Sequence, residues 1–470
     1  MNLLVLEGED GRKVKVFVVD FHTHVGKEKV LDAVGEAFRS NTPKQTIDFY
    51  HRLQFELKAC MNSSPSSYRY KLVEPLTEPP KALKSFYDSF GGMWGWTVDQ
   101  FVAFPFNDYR AYSTKPGFMI PNDMVLKRSL TLPFSPRMLG FVRVDPHDGE
   151  GAVREVERCA AAGARGLKLH PISQGFLDEV NSKEVQDVVI AAINNGMPVI
   201  FDCRYYATAE DIYELVQSIR GAVKRERFAV VLAHSSMEYT KKGLYDILGD
   251  PNIYGDTSGV RGDDVQVFLK MLRNNLGDEW SRKILFGTDF NYFTIPQAVD
   301  FLSYLFTWDF YDELDAKLKD VERILAGNAL SMIKPHIESH GHTWAMKFRG
   351  EAGEAFSRNL LHRAGYAASK KTVETLTYDP VVQGSGVVDA ESFVLSLRRA
   401  GGGGSSLIVR RGAKKTLVAL LSVCDVDASL RVRKTSGDYT KVIRGVVWGS
   451  VEVDNVGEAE ELADKLIRGF

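Results

Sequence analysis

The feature that most constrains the fold is a regular alternation of short apolar runs and helical patterns that begins near Thr97. We predict β-strands over residues 97–104, 139–144, 166–170, 198–202, 228–234, 252–257 and 283–289. Helical patterns, such as those over residues 151–162, 183–195 and 208–223, separate most of these strands. Because strands that are nearly all apolar must be covered on both faces, this alternation favours a parallel sheet with helices outside it.

An eighth apolar run, residues 14–19, precedes all of these and leads into Phe21-His22-Thr23-His24. Eight strand–helix units are the number that a closed (β/α)8 TIM barrel requires. We therefore predict an α/β protein with a TIM barrel in residues 1–345 and a long insertion after the first strand, at about residues 28–133. Helices are expected at residues 44–59 and 81–90, and Asp10-Gly11 predicts a hairpin before the first strand.

Polar residues stand at the ends of most of these strands. Side chains alternate along a strand, so His22 and His24 leave the first strand on the same side. The other strands that end in polar residues are the fourth with Lys168 and His170, the fifth with Asp202, the sixth with His234 and the eighth with Asp289. In TIM barrels the active residues lie at the carboxyl ends of the strands. Closure also places the eighth strand beside the first, so Asp289 is expected to approach His22 and His24.

These residue types suit a metal site. Two neutral imidazoles are good ligands for zinc and related ions, and they need one or two further ligands to complete a site. Asp289 would supply such a ligand. A pair of histidines where a strand meets solvent is the alternative interpretation of His22 and His24.

Composition excludes several other classes of function. The 470 residues carry 59 basic and 61 acidic side chains, so nothing indicates binding to nucleic acid or to an acidic membrane. No uninterrupted run of about 18 apolar residues spans a bilayer, and the N-terminus lacks the basic start of a signal peptide. Four widely separated cysteines without a CxxC pair are typical of reduced thiols and favour a cytoplasmic protein.

An ordered set of motifs resembles a known family. VVDFHTHVG, GARGLKLHP, PVIFDCR, VVLAHSS, KILFGTDF and ILAGNAL resemble, in this order, the amidohydrolase-related (amidohydrolase 2) metal-dependent TIM-barrel enzymes. The likeness is to the branch that contains aminocarboxymuconate semialdehyde decarboxylase, resorcylate-type decarboxylases and many hydrolases. It covers about residues 14–333.

The resemblance implies a role for each matching residue. His22 and His24 would be metal ligands, Asp289 a ligand or a proton acceptor, and His234 a group that polarises the substrate or transfers a proton. Related sequences usually carry a third histidine ligand on the fifth strand, where this chain has Asp202. A carboxylate can ligate zinc, so we expect Asp202 to be a ligand, with orientation of a neighbour as the alternative. Zinc is the expected cofactor, and manganese is the alternative.

Further residues are candidates for substrate binding. Lys168 would bind a substrate carboxylate or pair with Asp202, or it would be carboxylated and bridge two metals as in binuclear relatives. His170 is expected to contact the substrate or a ligand. Arg204 and Arg261 are candidates for binding a carboxylate. Trp94, with Trp96, is expected to close the site from the insertion.

Three functions remain open at this point. The first is hydrolysis of a small amide, lactone or ester-like molecule by metal-activated water, with Asp289 and His234 as catalytic residues. The second is nonoxidative decarboxylation of a small carboxylic acid on the same site. The third is a barrel without chemistry that serves as a binding or assembly component. A small-molecule substrate is expected as the partner, and a homo-oligomer is compatible with the sequence.

The last part of the chain, residues 349–470, predicts a separate C-terminal α+β domain. Helices are expected at residues 351–364, 389–400 and 456–468, and strands at residues 407–410, 416–423, 430–433 and 441–453. No catalytic constellation is found there, so an interaction or oligomerisation role is expected. Before it, His336, His340 and His342 form either a second metal site or a group of exposed histidines.

Overall fold

The computed structural model describes residues 4–11, 13–16, 18–32, 35–73, 97–98, 100–107, 111–129, 134 and 137–333, together with strands in residues 346–453. Trp94 and Trp96, the predicted helices at residues 81–90, 351–364 and 456–468, and the histidines at 336, 340 and 342 lie outside the described residues. The chain divides into two compact units. One contains residues 18–71 and 100–334, and the other contains residues 1–17, 72–99 and 335–470.

The first unit is the predicted TIM barrel. Its strands one to eight are Val19–Asp32, Gln100–Pro105, Met138–Arg143, Gly166–Leu169, Val199–Asp202, Val230–Ala233, Ile253–Asp256 and Ile284–Leu285. They pair in this order, each parallel to the next. The backbone amide of Phe21 donates to the carbonyl of Phe286 at 2.7 Å, and that of Asp289 donates to His22 at 2.9 Å. These bonds join the eighth strand to the first and close the barrel.

A helix follows each strand of the barrel. The helices in the connections are, in order, Pro43–Ser63, Met119–Ser129, Glu150–Ala162, Lys183–Asn194, Tyr206–Ile219, Lys242–Leu248, Asp264–Leu276 and Ile295–Tyr304. Shorter helices are Pro65–Ser67, Pro146–Asp148, Pro171–Gln174, Leu177–Glu179, Gly277–Arg282, Trp308–Leu314, Leu318–Glu322 and Asn328–Met332, with a π-helix at Arg323–Gly327. The connection from the first strand to the second ends before Gln100, so the predicted insertion of residues 28–133 also spans the second strand and the helix after it.

Local sequence signals set the ends of these helices. Thr42 caps Pro43–Ser63 in a capping box with Gln45, and Ser182 caps Lys183–Asn194 by accepting from the amide of Val185. Gly163 ends Glu150–Ala162 with φ of 108°, a conformation that glycine adopts at little cost. No described helix is both long and apolar enough to cross a membrane.

The core lies between the helices and the strands and inside the barrel. The third to sixth strands are buried at every position. Phe21 of the first strand and Phe141 of the third meet edge to face inside the barrel, with ring centroids 5.7 Å apart. This packing holds the strands at fixed positions and therefore also fixes the residues that follow them.

The second unit contains the predicted hairpin and a sheet. Leu4–Glu7 pairs antiparallel with Lys13–Val16 around Asp10-Gly11. After the barrel, strands run in the order Gly437–Arg444, Asp427–Lys434, Ser392–Arg399, Gly404–Gly412, Thr416–Leu420 and Gly449–Val453, and the additional strands are Met346–Arg349, Val373–Leu376 and Ser385–Val388. The helix predicted at residues 389–400 is wrong, because Ser392–Arg399 forms a strand. Phe393, Leu395 and Leu397 alternate with their neighbours, which is the period of a strand and not of a helix.

Candidate metal centre

The carboxyl ends of the first and eighth strands bring three predicted ligands together. Ligand atoms of His22, His24 and Asp289 all lie within 4.8 Å of one another, and all three residues are buried. Oδ1 of Asp289 is 3.0 Å from Nε2 of His24 and 3.5 Å from Nε2 of His22. Barrel closure thus produces the adjacency that the sequence predicts.

The hydrogen bonds of His22 leave one ring nitrogen available to a cation. Nδ1 of His22 lies 2.7 Å from Oδ2 of Asp256, and since the carboxylate can only accept, Nδ1 carries the proton. Nε2 is then a lone-pair donor, and it has no hydrogen-bond partner among the described residues. A carboxylate that holds the far nitrogen of a ligating histidine is the usual arrangement of metal sites. These residues therefore fit a divalent cation.

The charge states of the three residues fit a cation as well. Burial lowers the pKa of His22 to about 3 and that of His24 well below its usual value, so both imidazoles are neutral, the form that binds metal. Burial raises the pKa of Asp289 to about 7, because a carboxylate charge is costly away from water. A cation beside Asp289 would stabilise that charge.

Asp256, at the end of the seventh strand, holds His22 and His234 in position through hydrogen bonds, and the sequence analysis missed it. Its Oδ1 accepts from the backbone amide of His234 at 2.8 Å and from that of Ser258 at 3.0 Å, and the Ser258 hydroxyl also donates to it. Burial opposes its charge, but His22 and these hydrogen bonds hold the pKa of Asp256 well below its usual value. The signal that marks it is the one used elsewhere, a polar residue that ends a barrel strand.

His234 is connected to this network through Ser258. The hydroxyl proton of Ser258 goes to Asp256, so its oxygen accepts from Nδ1 of His234 at 2.8 Å. Nε2 of His234 lies 3.3 Å from Oδ2 of Asp202 and donates to it when the ring is protonated. Burial lowers the pKa of His234, but the bond to Asp202 and the nearby carboxylates raise it above its usual value. His234 is therefore a candidate cation 5.0 Å, ring to ring, from His22.

Asp202 is surrounded by hydrogen-bond donors. Oδ2 of Asp202 lies 3.3 Å from Nε2 of His170 as well as from His234, and Oδ1 lies 3.3 Å from Nε of Arg204. Nδ1 of His170 accepts from the amide of Ser173, so Nε2 carries the proton that points at Asp202. The cluster of His22, His24 and Asp289 does not include Asp202. Metal ligation by Asp202 stays a prediction, and its present contacts match the alternative of orienting neighbours.

Asp20 is a second buried acid that the sequence analysis missed. It accepts from the amide of His22 at 3.1 Å, from Tyr50 at 2.8 Å and from both the amide and the hydroxyl of Thr288. Burial raises the pKa of Asp20 to about 6, although these hydrogen bonds oppose the shift. Because Thr288 immediately precedes Asp289, Asp20 ties the first strand to the segment that carries the carboxylate.

Backbone strain concentrates at the two ends that carry His234 and Asp289. His234, Ser235, Ser236 and Met237 have φ between 44° and 62°, and Asp289 has φ of 52°. Residues with side chains seldom adopt this left-handed region, and they do so mainly where function or packing requires it. The turn after the sixth strand points the amide of His234 toward Asp256 and its ring nitrogens toward Ser258 and Asp202.

Two buried cations lie on adjacent strands at the same end of the barrel. Lys168, a predicted substrate-binding residue, is the second-last residue of the fourth strand, and burial lowers its pKa to about 8. Arg143 ends the third strand and was missed by the sequence analysis.

Arg261, another candidate, lies over the ring of Phe293 at 5.3 Å after the seventh strand. Trp94 lies outside the described residues.

Comparison with known proteins identifies one family match and several similar solved structures. Residues 122–334 match the model of the family described as Amidohydrolase. No curated protein matches the chain. Similar solved structures include 5-carboxyvanillate decarboxylase LigW from Sphingomonas paucimobilis, which is 16% identical with a TM-score of 0.39. That alignment covers 68% of this chain and 99% of the other.

Two further structures are similar at the same level. A probable 2-pyrone-4,6-dicarboxylic acid hydrolase from Acinetobacter baumannii is 12% identical, with 67% and 98% of the two chains covered and a TM-score of 0.38. A 5-carboxyvanillate decarboxylase from Novosphingobium aromaticivorans with bound manganese is also 12% identical, with 67% and 96% covered and a TM-score of 0.41. Because these TM-scores are low, the barrel is identified from the family match and from the observed strand order.

Proposed function

We propose that the chain, whose residues 122–334 match the amidohydrolase family, is a metal-dependent hydrolase of a small amide, lactone or ester-like molecule. The coarser class is a metal-dependent hydrolase or decarboxylase. Hydrolysis at a C–N or C–O bond is the finer reaction that the geometry supports best.

One observation carries this proposal. His22, His24 and Asp289 converge within 4.8 Å at the carboxyl end of a closed barrel, and Nε2 of His22 is buried without a partner among the described residues. Asp256 fixes the tautomer that leaves this nitrogen free. A buried imidazole lone pair beside a buried carboxylate is stabilised by a cation and by few other ligands.

The protein residues have separate parts in such a reaction. A divalent ion held by His22, His24 and Asp289, zinc or alternatively manganese, supplies Lewis acidity toward a carbonyl oxygen and toward water. Asp289 also accepts a proton from water and returns it to the leaving group. His234, held between Ser258 and Asp202, places positive charge next to the carbonyl oxygen as negative charge develops there.

Decarboxylation of a small carboxylic acid is the second candidate, and two buried cations favour it. Arg143 and Lys168 lie at the same end of the barrel with hydrogen-bond donors that no described residue accepts. Such donors suit a substrate with a carboxylate. The same residues would then hold a carboxylate that the substrate keeps, and a proton would be delivered to the carbon that loses a second carboxylate, in place of attack by water.

Metal analysis tests the class of enzyme. We expect purified protein to hold about one equivalent of zinc or manganese, and His22→Ala to lose most of it, since one ligand is removed. His147→Ala serves as the matched control, because this histidine is half exposed and pairs with Asp145 and Glu179 instead of with the candidate ligands. Absence of metal from both the wild type and the control would contradict a metal-dependent reaction.

Product analysis tests the reaction. The metal-loaded protein is incubated with panels of amides, lactones and aromatic acids. Release of an acid with an amine or alcohol supports hydrolysis, whereas release of carbon dioxide supports decarboxylation and contradicts the first proposal. The product must also disappear in Asp289→Asn, which keeps the shape of the side chain but not its basicity.

A further inference from the structure

One nitrogen of the Arg143 guanidinium makes a hydrogen bond, and the other two have no partner among the described residues. The side chain is buried, and Nη1 donates to the backbone carbonyl of Pro105 at 3.1 Å. The guanidinium carbon lies 5.6 Å from the centre of the Phe118 ring. Nε and Nη2 have no hydrogen-bond partner among the described residues. These two nitrogens form one edge of the guanidinium, the edge that a carboxylate binds with two parallel hydrogen bonds.

Lys168 also lacks a hydrogen-bond acceptor among the described residues. It is fully buried, and Nζ has no hydrogen-bond partner within the described part of the chain. The ammonium lies 4.9 Å from the centre of the Phe104 ring, a cation–π contact that replaces only part of the lost hydration. A buried ammonium group without a hydrogen-bond acceptor is costly, so a bound anion that accepts from it would stabilise it.

The two cations are neighbours. Arg143 and Lys168 are directly paired positions of the third and fourth strands, so their backbones are one strand spacing, about 4.8 Å, apart. Phe104, which lies under the Lys168 ammonium, also contacts the rings of His22 and His24 at 5.0 and 4.6 Å. This shared neighbour places the cations beside the candidate metal centre and not elsewhere on the rim.

The described carboxylates near these cations make no hydrogen bond to them. Lys168 feels the charges of Asp202, Asp256 and Asp289, but its ammonium donates to none of them. Oδ2 of Asp202 accepts from His234 while its Oδ1 makes no hydrogen bond to a described residue, and Glu28 accepts from the hydroxyl of Tyr292. Among the described residues, neither carboxylate accepts from Nε or Nη2 of Arg143 or from Nζ of Lys168. The acceptor for these donors is therefore expected to come from outside the protein.

We propose that Arg143 and Lys168 form an anion subsite beside the metal centre and that the substrate carries a carboxylate which binds there. The proposal rests on the proposed function, because it names the substrate class of the same site. Arg143 gives the carboxylate a two-point contact through Nε and Nη2, and Lys168 donates from the adjacent strand.

The carboxylate in this subsite is one that the substrate keeps. A carboxylate that departs as neutral carbon dioxide loses its charge in the transition state, so strong cationic contacts would stabilise the ground state and slow the reaction. Two buried cations with unpaired donors are therefore suited to binding and orientation. The reacting bond would lie on the side of His22, His24 and Asp289, whether it is cleaved by water or loses a second carboxylate.

Binding of matched acids and amides tests the subsite without relying on turnover. Isothermal titration calorimetry compares benzoate with benzamide, and acetate with acetamide, on metal-free and metal-loaded protein. We expect each acid to bind at least about 10-fold more tightly than its amide, since hydrogen bonds to charged groups contribute that much. Arg143→Met and Lys168→Met should each weaken acid binding by about 10- to 100-fold and leave amide binding unchanged.

Three controls separate this effect from misfolding. Arg143→Lys keeps the charge but not the two-point edge, so acid binding should be intermediate. Arg165→Met removes a buried arginine at the amino end of the fourth strand, away from the site, and should leave acid binding unchanged. Metal content should equal that of the wild type in every variant.

The outcomes are distinct from those that test the reaction. Equal affinity for acid and amide in both pairs would overturn the subsite, as would acid binding that survives Arg143→Met and Lys168→Met. If metal is bound and a neutral substrate is turned over in that case, the proposed function still holds. If the acids bind through Arg143 and Lys168 but no metal is held, the subsite is supported and the metal-dependent reaction fails.

Discussion

The hydrogen bond between Asp256 and His22 allows a quantitative prediction of how a substitution changes metal affinity. In Asp256→Asn the shape of the side chain is kept, and an amide oxygen can still accept from the backbone amides of His234 and Ser258. The amide nitrogen, however, would face Nδ1 of His22, where Oδ2 now accepts at 2.7 Å. Because an amide nitrogen only donates, His22 would have to move its proton to Nε2, the nitrogen assigned to the metal.

The expected magnitude follows from that tautomer change. Loss of the carboxylate behind a ligating histidine lowers metal affinity by about 10- to 100-fold. In free energy this corresponds to about 1.4–2.7 kcal/mol, since each factor of ten is worth about 1.4 kcal/mol. Protein stability without metal should change less, because the two backbone hydrogen bonds to the side chain are retained.

Competition with a chromophoric chelator measures the zinc and manganese affinities of wild type, Asp256→Asn and a control. Asp264→Asn is the control, since this acid is exposed at the start of Asp264–Leu276. We expect the control to match the wild type. Equal affinity in Asp256→Asn would refute the assignment of His22 Nε2 as the ligand atom.

Three further predictions concern folding. Asn328→Ala should lower the free energy of unfolding by about 2–4 kcal/mol in denaturant titrations, because two buried carbonyls that its side chain contacts at 2.7 and 2.8 Å lose their donor. Gly166→Ala should lower the free energy of unfolding by about 1–3 kcal/mol, since the new methyl group would lie 2.2 Å from the Phe141 ring. Gly221→Ala is the control and should leave the free energy of unfolding unchanged, because its methyl group would enter open space. Burial lowers the pKa of His51 from 6.5 to about 4. As the pH drops from about 6.5 to 4, His51 takes up a proton in the unfolded chain before it does so in the folded protein. The free energy of unfolding therefore falls over this range. His51→Gln should show a smaller fall of Tm over that range, and an unchanged profile would contradict the assignment.

The barrel is predictable from the sequence because two independent patterns agree. Apolar runs repeat with helical patterns between them, and polar residues stand at one end of the runs. His22 and Asp289, 267 positions apart in the chain, become neighbours only through ring closure, and a count of eight strands is enough to predict that. The roles of these residues are not predictable in the same way, since they depend on which ring nitrogen carries a proton.

The missed residues have a common cause. Asp256, Arg143 and Asp20 lie within or directly at the end of apolar strands. Asp256 and Arg143 belong to none of the quoted motifs, whereas Asp20 lies in VVDFHTHVG, two residues before His22. Asp256 and Arg143 follow the same rule as Asp202 and Asp289, a polar residue at a strand end, and applying the rule to every strand would have found them. Asp20 differs, because its partners Tyr50 and Thr288 come from distant segments and only the fold reveals them.

The second unit shows the limit of periodicity. Residues 389–400 contain leucines and arginines, which favour a helix by intrinsic propensity, but the alternating apolar positions of Ser392–Arg399 pair between two neighbouring strands. Pairing on both edges outweighs a weak propensity, which is a contribution that a single sequence does not display.

Anomalous diffraction from crystals of zinc- or manganese-loaded protein tests the central claim most directly. We predict one peak within about 2.0–2.2 Å of Nε2 of His22, of a ring nitrogen of His24 and of a carboxylate oxygen of Asp289. A metal bound elsewhere, with Nε2 of His22 left without a ligand, would contradict the account.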